Sequence, residues 1–108
     1  MELQHITWTG RDSDDAETLA RCPETLRAVL TSVNGFIQYG GGLHLRGACL
    51  RPEWHSLRAA WDGSQAFHAL YPAVDPTWVP FAEDCVGDQF FLASDKVLRL
   101  SAETGDVS

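Results

Sequence analysis

Leu26, Val29, Leu30 and Val33 fall at positions i, i+3, i+4 and i+7, an apolar stripe along one face of a helix. Pro23 stands ahead of them at the first helical position, where its missing amide is not needed. Asn34-Gly35 supplies a left-handed stop, so the spacing predicts a helix over about 23–33. Upstream, Asp12-Ser13-Asp14-Asp15 places small capping side chains and acids at a helix start, and a short helix is expected to run to about Arg21. Leu3, Ile6 and Trp8 give residues 1–13 the character of an N-terminal arm or a short edge strand.

After Gly35 the period changes. Phe36-Ile37-Gln38-Tyr39 reads as a strand, Gly40-Gly41-Gly42 as a tight connection, and Leu43-His44-Leu45 as a second strand. Pro52 and Glu53 open another predicted helix, with Trp54, Leu57 and Trp61 on one core-facing side, ending near Asp62-Gly63. Residues 64–86, interrupted by Pro72, Pro76 and Pro80, read as loop or short helical pieces. Gln89 to Ala93 and Val97 to Leu100 form an expected antiparallel hairpin across Ser94-Asp95-Lys96, followed by a turn at Glu103-Thr104-Gly105-Asp106. Helices first and antiparallel strands later, without βαβ alternation, predict an α+β fold.

A length of 108 residues predicts one domain spanning 1–108. With 44% hydrophobic and 21% charged residues, a real core is expected rather than disorder. No apolar run reaches the ~20 residues of a membrane-spanning helix, and Met1-Glu2-Leu3-Gln4-His5 lacks the order of a secretory signal. The expected setting is cytoplasmic, with no membrane partner. Cys22, Cys49 and Cys85 are an odd, widely spaced set without a Cys-x-x-Cys pair, which predicts small buried apolar residues rather than disulfides or zinc.

Charge narrows the partners. Fifteen acids against eight bases give −7, and the imbalance is concentrated in the second half. Residues 1–60 carry a net −1, whereas residues 61–108 carry only Lys96 and Arg99 against eight acids, a net −6. Such a half repels phosphate backbones and favours a basic protein partner over nucleic acid.

Catalytic signatures are sparse. There is no Gly-x-Ser-x-Gly elbow and no His-Glu-x-x-His, and His5, His44, His55 and His68 are not spaced to share a helical face. The glycine run at 40–42 lacks a following Gly-Lys-Ser/Thr, so it is not a phosphate cradle. The enzymatic alternative is a small thiol hydrolase, with Cys49 or Cys85 as nucleophile and His44 or His55 as base. Glu83, Asp84 and Asp88 sit among glycine and other acids, a setting that predicts hydrated carboxylates, with Asp84 and Asp88 accepting bonds from nearby amides. Trp78, between Pro76 and Pro80, combines large area with low ordering cost and suits an interface anchor or the rim of a core.

The order of signals from Pro23 onward resembles the SMI1/KNR4 family of the SUKH superfamily. The stretches that carry the resemblance are Val33-Asn34-Gly35-Phe36, Gly41-Gly42-Leu43-His44-Leu45-Arg46-Gly47, Phe81 through Leu92, and Glu103-Thr104-Gly105-Asp106-Val107. The resemblance implies helices packed on a mostly antiparallel sheet and, for bacterial members, a non-enzymatic immunity protein that binds and neutralises a cognate toxin. Family chains continue past the Glu-Thr-Gly turn into another element, whereas this sequence stops at Ser108, so a missing C-terminal element and an uncovered edge are expected. In this reading acidic loops steer a basic toxin domain, with Asp75, Trp78, Glu83, Asp84, Asp88 and Asp95 as candidate contacts and no cofactor or metal. A regulatory scaffold module without a toxin is the remaining alternative.

Overall fold

Six strands line up in chain order, β1 to β6, and every neighbouring pair is antiparallel. The computed structural model describes residues 4–108, so Leu3 of the expected edge strand lies outside the described residues. β1 spans Ile6–Thr9 and forms one edge of the sheet. β2 (Phe36–Gln38) and β3 (Leu43–Leu45) follow, then β4 (Val79–Asp84), β5 (Gln89–Ala93) and β6 (Lys96–Leu100). The α+β architecture, with helices against an antiparallel sheet, is the one expected. Val107 bridges Leu100 and Ser108 exchanges two backbone hydrogen bonds with Arg99, so the tail covers the C-terminal end of β6.

The helices form for local reasons. α1 (Ala16–Arg21) starts at Asp15, whose carboxylate accepts from the Thr18 amide at 3.2 Å and the Thr18 hydroxyl at 2.7 Å. α2 (Glu24–Ser32) follows Pro23 and buries Leu26 and Leu30, and Gly35 ends the segment at φ +81°, the left-handed stop predicted for it. α3 (Leu57–Asp62) is capped by the Ser56 hydroxyl, which accepts from the Ala59 amide, and buries Leu57 and Trp61. α4 (Phe67–Leu70) is a single turn.

Register divides the sheet chemically. Phe36, Leu45, Ala82 and Phe90 are successive cross-strand partners, and this apolar row packs against Cys22, Leu26, Leu30, Leu57 and Trp61 from the helices. The adjacent row is Trp8, Ile37, His44, Glu83 and Gln89, which points to the other side. A smaller cluster of Val74, Phe91 and Leu100, backed by Phe67, Tyr71 and Trp78, closes the β5–β6 end.

Three expectations need correction. Residues 79–84 form an interior strand, not loop; Pro80, which has no amide for the ladder, sits where the register slips between Val79 and Ala82. The helix expected from Pro52 is broken into a 3-10 turn at Glu53–His55 and α3, because Ser56 is extended and bridges Gly47. Trp54 therefore leaves the face shared by Leu57 and Trp61 and stands 56% exposed. Tyr39 turns out of β2 at φ +56° to open the tight Gly40–Gly42 connection.

Candidate functional site

His44 and Glu83 are neighbours in the polar row of the sheet, on β3 and β4. The Nδ1 of His44 lies 2.9 Å from Glu83 Oε1, and its Nε2 lies 2.8 Å from the Nδ1 of His55. His55 in turn places Nε2 2.9 Å from the Asn34 backbone carbonyl. Both rings are buried and stacked with centroids 5.0 Å apart.

The obligate acceptors at its two ends set the outer roles in this chain. A carbonyl only accepts, so His55 donates from Nε2 to Asn34. Glu83 is held down to about pKa 2, chiefly by the His44 hydrogen bond, with Gln89 and Arg46 adding to it against the cost of burial. It is a carboxylate that accepts, so His44 donates to it from Nδ1. Burial pushes His55 below its ordinary value.

All four ring nitrogens are thus engaged inside the protein. None presents a free lone pair to a substrate or a metal ion. Arg46 completes the cluster by donating to Pro80 O at 2.9 Å, Gln89 Oε1 at 2.6 Å and Glu83 Oε2 at 3.3 Å. No buried side-chain polar atom among the described residues lacks a partner. Asn34 ties the far end together: its amide donates to Arg11 O and Ala48 O, and its Oδ1 accepts from the Ala48 amide.

Above this cluster lies a groove of about 850 Å³, lined by Trp8, Arg11, Asp12, Asp14, Cys49, Arg51, Pro52, Trp54 and His55. Trp8 from β1 and Trp54 from the 3-10 turn form its aromatic wall, with centroids 5.1 Å apart and planes at 48°. Both indoles also contact the His55 ring, Trp8 edge-on at 4.6 Å and Trp54 at 5.7 Å. The histidine chain is the floor that holds this wall in place.

The candidate contacts from the sequence fall into two groups at opposite ends of β4 and β5, since Val79 pairs with Leu92 and Glu83 with Gln89. At one end Asp75 and Asp95 are exposed, and Asp75 accepts from the amide and hydroxyl of Thr77. Trp78 beside them is half-buried against Phe91, at the rim of the smaller cluster. At the other end the carboxylates are not hydrated loop groups. Glu83 points into the histidine cluster, Asp84 accepts from the Val86 and Asp88 amides, and Asp88 is buried against Arg99 and the Ala102 amide. Asp88 thus bonds a distant amide rather than a neighbouring one.

The cysteines are also separated. Cys22 and Cys49 are buried as expected, and burial pushes each thiol up to about 11. Cys85 is exposed in the β4–β5 turn, contrary to the buried role expected for it. No cysteine is hydrogen-bonded to a histidine among the described residues. Sequence reasoning missed Trp8–Trp54 and the histidine chain; its one available signal was the alternation that puts Trp8 and His44 on strands. Among the described residues no helix is long and apolar enough to cross a membrane. Compared with protein-family models, curated proteins and solved structures, the chain matches none.

Proposed function

We propose that this chain is a protein-binding domain that works without covalent chemistry, and that its partner is a basic toxin domain which it neutralises. The observation that carries the binding reading is Trp54, 56% exposed beside Trp8 on the wall of a groove. A tryptophan left half in water next to a second indole is costly to leave uncovered and is the residue type most used as an interface anchor. The engaged ring nitrogens of His44 and His55 and the raised thiol of Cys49 support the non-enzymatic side of the reading. Its toxin side draws on the SMI1/KNR4 resemblance and the net charge of −7, which speeds encounter with a basic partner.

The test is binding and rescue with the protein encoded beside this gene. The two are expected to form a complex by calorimetry, faster to associate at low salt than at high salt, and growth of a host expressing the neighbour is expected to be restored by this chain. Complex formation without rescue removes the toxin role. Absence of any complex removes the binding reading.

A further inference from the structure

On the groove wall Trp54 is 56% exposed and Trp8 is half-buried. Three of the protein's arginines stack on rings elsewhere, Arg21 on Trp61, Arg46 over Phe67 and Arg99 over Phe90, and among the described residues none lies over Trp8 or Trp54. Two carboxylates stand on the same groove. Asp12 makes no hydrogen bond or ion pair among the described residues, and Asp14 accepts only the Leu50 amide at 2.8 Å. Indole faces beside an uncommitted carboxylate are the chemistry that recognises a guanidinium: the ring quadrupole attracts the cation, and the carboxylate takes its paired donors.

Arg11 and Arg51 line the groove as well, so the four rim charges cancel. A guest cation therefore belongs on the Asp12–Asp14 side. The two arginines, which can only donate, would suit the main-chain carbonyls of an extended guest segment. The field of a chain at −7 adds to the preference for a positive guest.

We propose that the Trp8–Trp54 groove reads an arginine on a basic segment of a partner protein, with Asp12 as its carboxylate. This rests on the protein-binding reading above and names the chemistry of the contact. The probe is a blocked peptide, acetyl-Gly-Gly-Arg-Gly-Gly-amide, compared with peptides carrying citrulline or glutamate in place of the arginine. Indole N–H resonances of Trp8 and Trp54 report the groove, and those of Trp61 and Trp78 serve as internal controls.

The arginine peptide is expected to move the Trp8 and Trp54 signals alone and to bind about tenfold more tightly than its uncharged citrulline isostere. Asp12→Asn and Trp54→Leu should each erase that preference, and both sites are exposed, so the fold is retained and is checked by circular dichroism. Equal binding of citrulline, tighter binding of glutamate, shifts confined to Trp78, or no shift with any peptide overturns the proposal. A toxin partner that binds the whole chain but ignores both substitutions also removes the groove, while leaving the protein-binding reading in place.

Discussion

Gly47 is pressed so closely against His55 that a Cβ at Gly47 would lie 2.6 Å from the imidazole Nε2 and 2.4 Å from the Asn34 carbonyl oxygen. Gly10 and Gly35 crowd the same ring, at 2.7 and 2.6 Å from Nε2. Three glycines from three separate segments thus form a socket for one buried imidazole. The socket explains how a turn far from the sheet centre is locked to it: around Nε2 the ring leaves room only for backbone.

Gly47→Ala is therefore expected to cost ~2 kcal/mol or more, since neither the Asn34 backbone nor the held ring can yield cheaply. Gly40→Ala is the control. A Cβ there meets nothing within 4 Å, and only the positive φ of +62° is penalised, at about 1 kcal/mol. Urea midpoints of the two variants check the contrast, and equal losses would show that the ring is not confined.

The Glu83 carboxylate and the His55 ring make stability fall with acid in two separate windows. His55 is held below its ordinary value of 6.5, so below that pH the unfolded chain takes up a proton that the folded chain refuses, and stability begins to drop. Glu83 is held at about 2 against 4.5, so its contribution is whole above 4.5 and disappears as pH falls toward 2. A displacement from 4.5 to about 2 corresponds to on the order of 3 kcal/mol. Denaturation of Glu83→Gln between pH 7 and pH 2.5 should show a weaker protein at neutral pH with a flatter acid limb below 4.5; an unchanged acid limb would remove Glu83 from the account.

Trp54 and Trp61 lie seven positions apart, and a continuous helix would bury both. The extended Ser56 between them breaks that equivalence. Trp61→Ala removes a 5% exposed core group and is expected to cost ~3–5 kcal/mol. Trp54→Ala, at 56% exposure, is expected to cost under about 1 kcal/mol. Thermal or urea unfolding of the pair separates the roles; comparable losses would place Trp54 in the core after all.

The local signals of this chain were legible wherever they were short in range. The apolar stripe from Leu26 to Val33, the Gly35 stop and the β5–β6 hairpin all follow from neighbours a few residues apart. β4 was hidden because Pro80 argues against an interior strand, and only the register slip beside it reconciles the two. With β4 hidden, Glu83 read as a loop acid, and nothing placed it opposite His44. The histidine chain is still less local, since His55 meets Asn34 across 21 residues and His44 meets Glu83 across 39. A groove assembled from Trp8 and Trp54 is tertiary by construction, and no period in the sequence encodes it.

The three thiols should differ in reactivity by their burial alone. Cys85 is exposed in the turn between β4 and β5, whereas Cys22 and Cys49 are buried with their thiols pushed up to about 11. Cys22 is also tied down by its hydrogen bond to the Thr18 carbonyl at 3.4 Å. Thiolate, not thiol, attacks a disulfide reagent, so both buried groups are doubly protected, by access and by their small thiolate fraction. Titration of the native protein with an aromatic disulfide at pH 8 is expected to release one equivalent, and the other two only in denaturant. Cys85→Ser should leave the native protein silent. Rapid reaction at Cys49 in the folded state would show an activated thiol in the groove and would revive the hydrolase alternative.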